Sequence, residues 1–304
     1  MKCLDGYTEV FAILGSPVKH TLSPHMYNPL FARIGRNAAY VAFEVGEEAL
    51  RDAIAGVRAL GIRGLHLTCP HKEAVIPSLD RLSREARSIG AVNVVLNDGG
   101  RLYGDNTDGR GYLRSLRSEH RYQPEGGRVG LFGAGGSARA IAFTLARVGV
   151  SRIDIFNRTR SRALRLAADL RRHHPRTECR VFPLDGDAFG RACIDLDLLV
   201  NATTPADDNP VDWRMPLDTL PEHVICSDIN YFRKPAPLLE RASRRGLRIH
   251  DGLGMLIHQG AISMMLLARI HVSGEELGRC LEEGLRSGRA VEASPLASLR
   301  QSGR

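Results

Sequence analysis

Short apolar runs of strand length alternate with longer stretches of helical period along most of the chain. "VFAILG" (Val10–Gly15) precedes "EEALRDAIAGVRAL" (Glu47–Leu60), which precedes "GLHLTCP" (Gly64–Pro70). Further on, "VGLFGAGG" (Val129–Gly136) runs into "SARAIAFTLARVG" (Ser137–Gly149). Strand followed by helix, repeated, predicts an α/β fold with parallel sheets covered by helices. Within the segment from Glu47, Leu50, Ile54 and Val57 recur at helical spacing, and Gly61 is placed to end the helix in the left-handed region. "NVVLNDGGRLYG" (Asn93–Gly104) reads differently, because two apolar runs flank an Asp-Gly turn and so predict a hairpin.

The periodicity lapses through "RSEHRYQPEGG" (Arg117–Gly127), and a fresh strand begins at Arg128. This places residues 1–112 in a first domain and 113–250 in a second with a Rossmann-type, doubly wound parallel sheet. "DGLGMLIHQGAISMMLLARI" (Asp251–Ile270) reads as one long helix with few charges. Its apolar content implies burial, so residues 251–304 are expected to pack back on the first domain. From Ser287 the pattern weakens, as in a frayed tail.

A chain of 304 residues has room for two such domains without staples. Its six cysteines lie far apart with no CxxC pair, which argues against a zinc cluster or disulfide scaffold and for a reducing compartment. No apolar run has transmembrane length and the start "MKCLDGYTEV" has no apolar signal core, so a cytoplasmic protein without a membrane partner is expected. The formal charge of +8 comes largely from arginine-rich segments such as Asn157–Arg176. There the arginines fall among Leu164, Leu166, Ala167 and Leu170, the pattern of a solvated helix face, and no nucleic-acid partner is expected. No histidine and carboxylate spacing repeats at helical ligand distance, so no metal site is expected.

One cluster of arginines has a more specific reading. Gly133, Gly135 and Ala138 form GxGxxA after a strand and at the head of a helix, where the first glycine allows a tight turn and the second admits a pyrophosphate onto the helix N-terminus. About twenty residues on, where an acidic side chain would bind the ribose hydroxyls of NAD, the chain has Asn157 and Arg158. Arg158, supplemented by Thr159, Arg160 and Arg162, suits a 2′-phosphate, which favours NADP over NAD.

Polar residues also cluster where a plain fold would not need them: Thr21 and Ser23 before a proline, Thr68 and Lys72 beyond a strand, Asn93, and Asp108 among glycines. Together these segments resemble the shikimate dehydrogenase family over nearly the full chain, to about residue 270. The family's "GxPxxHSxSPxxHN" stands here as "GSPVKHTLSPHMYN", its "NVTxPxK" as "HLTCPHK", its "GAxNT" as "GAVNV" and its "GxNTDGxG" as "GDNTDGRG". "GAGGSARA", "NRTRSRA" and "DGLGMLIHQ" follow in family order. The resemblance implies reversible reduction of 3-dehydroshikimate to shikimate by NADPH. It implies Lys72 and Asp108 as the acid–base pair beside the reacting hydroxyl, with Thr21 and Ser23 on the substrate carboxylate. His66, Thr68, Asn93 and Gln259 stand at positions that face the ring hydroxyls, and Tyr231 lines the site. Around the cofactor it adds Ala134, Gly136, Ser137, Thr203, Gly252 and Met255 to the residues already named. The partner is thus a small cyclic polyhydroxy carboxylate, and the chain a monomer or homodimer.

Each group also has a structural reading: Thr21 and Ser23 as caps of a helix starting at Pro24, Lys72 as a solvated lysine at a helix start, Asp108 as a helix cap. The chain departs from the family pattern at several places. Thr21 replaces a serine, His66 an asparagine and Val94 a threonine, and "NATTPADDN" diverges after Thr203 through the 205–209 loop. The tail lacks the family's tryptophan. His66 introduces an imidazole able to carry charge near neutrality. These changes leave quinate, or an aminated shikimate analogue, as alternative substrates. A catalytically weakened sensor of a cyclic polyol acid is a reading from another class. A folate-linked methylene dehydrogenase suits the hydroxyl-rich "HTLSP" less well.

Overall fold

The computed structural model describes residues 4–204, 211, 215–232 and 236–287. The chain divides into two compact units, residues 1–107 with 260–304 and residues 108–259. The first crossing falls at Thr107 and Asp108 rather than after residue 112, because the helix that begins at Asp108 packs with the second unit. The second falls at Gln259 and Gly260, inside the long helix expected from its apolar sequence, rather than before it.

The first unit is built on strands β1 (Glu9–Gly15), β2 (Ala38–Glu44), β3 (Gly64–Leu67), β4 (Arg81–Leu82), β5 (Val94–Asp98) and β6 (Arg101–Asp105), in the order β2-β1-β3-β5-β6-β4. β1 pairs parallel with both β2 and β3, so its apolar run "VFAILG" belongs to an interior strand. β5 and β6 form the expected hairpin, closing at Asp98 opposite Arg101. The two central turn residues are Gly99 and Gly100, both at positive φ as a primed turn requires, so the pair at the tip is Gly-Gly rather than Asp-Gly. The helices are α1 (Ser23–Arg33), α2 (Leu50–Ala59), α3 (His71–Ala74) and α4 (Arg84–Ile89). α2 buries Leu50, Ile54 and Val57 against the sheet, although it starts at Leu50 rather than Glu47.

The second unit holds α5 (Asp108–His120), β7 (Arg128–Phe132), α6 (Gly136–Arg147), β8 (Arg152–Phe156), α7 (Arg160–His173), β9 (Glu178–Phe182), α8 (Gly186–Ala192), β10 (Leu198–Asn201), β11 (Ile225–Asp228), α9 (Pro237–Arg244) and β12 (Arg248–Asp251). Its sheet is wholly parallel in the order β12-β11-β10-β7-β8-β9, the doubly wound arrangement expected. The order reverses between β7 and β10, and open sheets of this kind take ligands beyond the carboxyl ends of such a pair. On α7, Ala163, Leu166, Ala167 and Leu170 are buried while its arginines face solvent. Leu164, which the amphipathic pattern would place inside, is 45% exposed. α10 (Gly252–Ala268) carries Gln259 in the second unit and continues into the first, which α11 (Gly274–Ser287) completes. α11 lies against α1, where Gly284 leaves room for the His25 carbonyl.

Candidate functional site

In the first unit, two loops leave the carboxyl ends of the adjacent parallel strands β1 and β3. They approach so closely that a Cβ at Gly15 would collide with the Thr68 side chain and lie 3.2 Å from the Cys69 carbonyl oxygen. The close approach sets "GSP" beside "TCPHK", and with it Thr68 and Lys72, both half-buried. Thr21 and Ser23 are buried at the start of α1, with Thr21 Oγ1 donating to Ser23 Oγ at 3.2 Å and accepting from the Ser23 amide at 3.3 Å. The N-cap position itself is Leu22, whose side chain makes no cap, while Thr21 Oγ1 takes the amide of Ser23, the first residue of α1.

His66 differs from the sequence-based expectation. It sits in the fully buried strand β3, with Tyr40 Oη 2.7 Å from Nδ1 and Tyr27 Oη 3.4 Å from Nε2. Burial, with a smaller push from the Lys72 charge, lowers its pKa to about 3. The imidazole is therefore neutral near pH 7, and the charge expected of it is absent. Neither tyrosine was singled out in the sequence. Ser23 and Tyr27 stand four residues apart on α1, however, so they share a face, and that spacing is the signal that would have found Tyr27.

Asn93 is braced rather than loose. Its Nδ2 donates to Thr107 Oγ1 at 2.9 Å, its Oδ1 accepts from the Thr107 amide at 2.8 Å, and Thr107 Oγ1 lies 3.0 Å from Ser263 Oγ. This buried chain fixes Asn93 at the carboxyl-terminal end of the first unit's initial segment, beside the residue that precedes Asp108 in sequence.

In the second unit, Asp108 opens α5 and is 3% exposed. Ser137 Oγ donates to its Oδ2 at 3.2 Å. The glycine loop has the geometry the motif predicted. Gly133 stands at φ 107, a region that disfavours side chains, and a Cβ there would lie 2.7 Å from the Ala202 carbonyl oxygen beyond β10. The N-cap of α6 is Gly135, which brings no capping side chain, so the positive end of the helix is left open to an anion such as a pyrophosphate. Arg162 Nη2 lies 3.8 Å from where a Cβ at Gly135 would stand, which brings a cation beside the loop. Asn157, Arg158 and Thr159 follow β8, with Asn157 Nδ2 donating to the Thr159 carbonyl at 2.8 Å and Arg158 exposed. With no carboxylate at this strand end, the residues fit NADP.

Thr203 follows β10 and is held through its amide and hydroxyl by Asn201 Oδ1, whose Nδ2 donates to Asp228 Oδ2 at 2.8 Å. Tyr231, half-buried, lies just past this network. Gly252 leaves no space for a Cβ against the Ile229 carbonyl, and Met255 is buried one turn on. Gln259 is buried with Nε2 donating to the Leu256 carbonyl at 2.9 Å, and its backbone is so close to Gly111 that a Cβ there would lie 2.6 Å from Gln259 Cα. Hence Asp108 and Gln259 sit on two helices in direct backbone contact. The departures at positions 205–209 lie outside the described residues.

Behind these helices runs a buried chain that the sequence did not disclose. Ser115 Oγ donates to Glu119 Oε1 at 2.6 Å, so toward His250 Nε2, at 2.7 Å, it accepts. His250 Nδ1 then accepts from Ser227 Oγ at 2.9 Å, which assigns a neutral Nε2–H tautomer. Burial, then the neighbouring His120, lowers its pKa to about 4. Gly254, where a Cβ would strike Ser115 and Glu119, lets α10 begin against this chain.

Thr21, Ser23, His66, Thr68, Lys72 and Asn93 thus belong to the first unit, and Asp108, the nucleotide loop, Tyr231 and Gln259 to the second. Among the described residues no three His, Cys, Asp or Glu are grouped to hold a metal ion, and no helix is long and apolar enough to cross a membrane.

Residues 13–95 match the model of the shikimate dehydrogenase substrate binding domain. A shikimate dehydrogenase (NADP(+)) of Methanopyrus kandleri is 42% identical over 93% of this chain and 98% of its own length. That of Geobacter sulfurreducens is 40% identical over 93% and 99%. Among solved structures, shikimate 5-dehydrogenase from Thermus thermophilus, in complex with NADP(H) and shikimate, superimposes with a TM-score of 0.79 at 34% identity, covering 91% of this chain and 100% of its own. Quinate dehydrogenase from Corynebacterium glutamicum, in complex with NAD, gives 0.79 at 25% identity, covering 91% and 99%.

Proposed function

The chain belongs to the shikimate dehydrogenase family, and we propose that it reversibly reduces the ring ketone of 3-dehydroshikimate to shikimate with NADPH. The observation that carries the reading is the buried Asp108 hydrogen-bonded to Ser137, which puts a carboxylate beside the nucleotide loop in a doubly wound domain. Close relatives named for this activity and cofactor support it.

Bound NADPH supplies the hydride that reduces the ketone. As the carbonyl oxygen gains negative charge, the Lys72 ammonium, working with Asp108, gives it a proton; in the reverse direction the pair removes the hydroxyl proton. Thr21 and Ser23 offer paired neutral hydroxyls to the substrate carboxylate. Asn93, held by Thr107, presents an amide at a fixed position for a ring hydroxyl, with Thr68 and Gln259 beside the ring. Tyr231 is the remaining candidate for a contact with the substrate. His66, neutral and held by Tyr40, adds hydrogen-bonding shape without charge. The first-turn amides of α6 receive the pyrophosphate, and Arg158 with Thr159 and Arg162 receives the 2′-phosphate. Thr203, Gly252 and Met255 border the nicotinamide.

The test is the absorbance of reduced cofactor formed by purified protein with shikimate or quinate and either oxidised cofactor. Turnover of shikimate with NADP, abolished in Lys72→Ala, is expected. The Thr21 and His66 departures favour quinate as the second reading, which quinate turnover in place of shikimate would establish. Ligand binding without turnover in any combination would turn the reading to a sensor.

A further inference from the structure

We propose that Ser137 is a positioning residue for the catalytic carboxylate: its hydroxyl holds Asp108 in register with the helix that receives the cofactor's pyrophosphate. The inference rests on the reading of Asp108 as half of the acid–base pair.

Ser137 is the second residue of α6, in the first turn at the positive end of the helix. Its side chain points to another task. An ionised carboxylate only accepts, so the 3.2 Å contact has one polarity, with Ser137 Oγ donating to Asp108 Oδ2. One residue thus stands in the first turn of the nucleotide-binding helix and gives its hydroxyl to the carboxylate.

A second, independent contact acts the same way. A Cβ at Gly109, the residue after Asp108, would collide with Thr144 Oγ1 and with the Ala140 carbonyl oxygen, both on α6. The first turn of α5 is thus seated on α6 backbone to backbone, and Asp108 leaves that turn at a set height along α6. The packing fixes the Asp108 Cα, and the hydroxyl fixes the carboxylate at its end. A proton donor or acceptor displaced by about 1 Å can cost a hundredfold in rate, so a hydroxyl that removes one rotational freedom of Asp108 acts directly on turnover. Alanine at 137 would keep the helix and the backbone amide and remove the hydroxyl that makes this restraint. Threonine would keep the hydroxyl.

The experiment compares Ser137→Ala, Ser137→Thr and Asp108→Asn in the full chain, with the polyol acid that the unmodified protein turns over. It reads kcat, KM for NADP+, and NADP+ affinity by calorimetry. Ser137→Ala is expected to lower kcat about tenfold, as loss of one hydrogen bond to a charged group does, while NADP+ affinity stays within about twofold. Ser137→Thr should restore most of the loss. The inference is overturned if Ser137→Ala keeps its kcat, if its NADP+ affinity falls as far as its kcat, or if the threonine variant is as slow as the alanine one. Asp108→Asn separates the two readings. Full turnover in that variant removes the acid–base role of Asp108 and this inference with it, whereas an inactive Asp108→Asn beside a fully active Ser137→Ala removes this inference alone.

Discussion

Lowering the pH from 7 to 5 is expected to cost each unit about 2 kcal/mol of stability through a single buried histidine. His66 in the first unit and His250 in the second are neutral in the fold, with pKa values lowered from 6.5 to about 3 and about 4 by burial. In the unfolded chain each returns to 6.5 and takes up a proton as the pH falls through that value. The unfolded state then binds more protons than the folded one, so stability is full above 6.5 and declines below it. At pH 5 the unfolded histidine sits 1.5 units below its own pKa while the folded one is still neutral, which gives the 2 kcal/mol at about 1.4 kcal/mol per unit. The figure is insensitive to how far below 5 the folded value lies. Carboxylates do not confuse this window: Asp195, held low by its hydrogen bond to Arg152, starts from 3.8 and loses its contribution only in more acidic solution. His20, His120, His174 and His258, lowered chiefly by partial burial, push the same way. The assay is urea unfolding followed by circular dichroism at pH 7 and 5 for the unmodified chain and for His66→Asn, which places the family's residue at 66. The variant's pH 7 to 5 loss should be smaller by about 2 kcal/mol in the transition of the first unit. An equal loss in both proteins would refute the assignment of His66 as a buried neutral group.

Two further changes act in the second unit. Arg158→Ala should raise KM for NADPH by about tenfold and leave KM for NADH unchanged, measured side by side, since only the 2′-phosphate is lost as a partner; an equal rise for both cofactors would place Arg158 elsewhere. Asp154, fully buried between Arg152 Nε at 3.1 Å and Arg180 Nε at 2.6 Å, should destabilise its unit by about 3 kcal/mol when changed to Asn, read by urea unfolding, with kcat unchanged.

Much of this architecture was legible because it depends on local pattern. The hairpin at Asp98–Arg101 follows from turn chemistry, the nucleotide loop from glycines whose backbone approaches are visible at Gly133, and α10 from an uninterrupted apolar run. What escaped depends on contacts distant in sequence. Tyr40 reaches His66 across 26 residues and Ser115 reaches His250 across 135, and no period in the sequence encodes either pairing. The expected boundary near residue 112 followed the lapse in periodicity. The actual crossing follows packing: α5 starts at Asp108, and Gly109 already lies against α6.

The histidine at position 66 illustrates why a changed residue in a family motif must be read with its neighbours. Taken alone, imidazole for carboxamide suggests a new titrating group next to Lys72, and hence altered acid–base chemistry. In the fold, Tyr40 and Tyr27 meet its two nitrogens, all three side chains are buried, and the nearby Lys72 charge further disfavours protonation. A neutral imidazole has one donor and one acceptor nitrogen, as a carboxamide has both functions, so the exchange keeps the hydrogen-bonding kind and changes its reach. On the proposed reading, the charge that the reaction requires then stays with Lys72 and Asp108. Any effect on substrate choice would come through shape, since a misplaced hydrogen bond to a ring hydroxyl separates one polyol acid from another more sharply than a change in bulk does. Under the proposed function, His66 would bear on which cyclic acid is bound and would leave the proton transfer to Lys72 and Asp108.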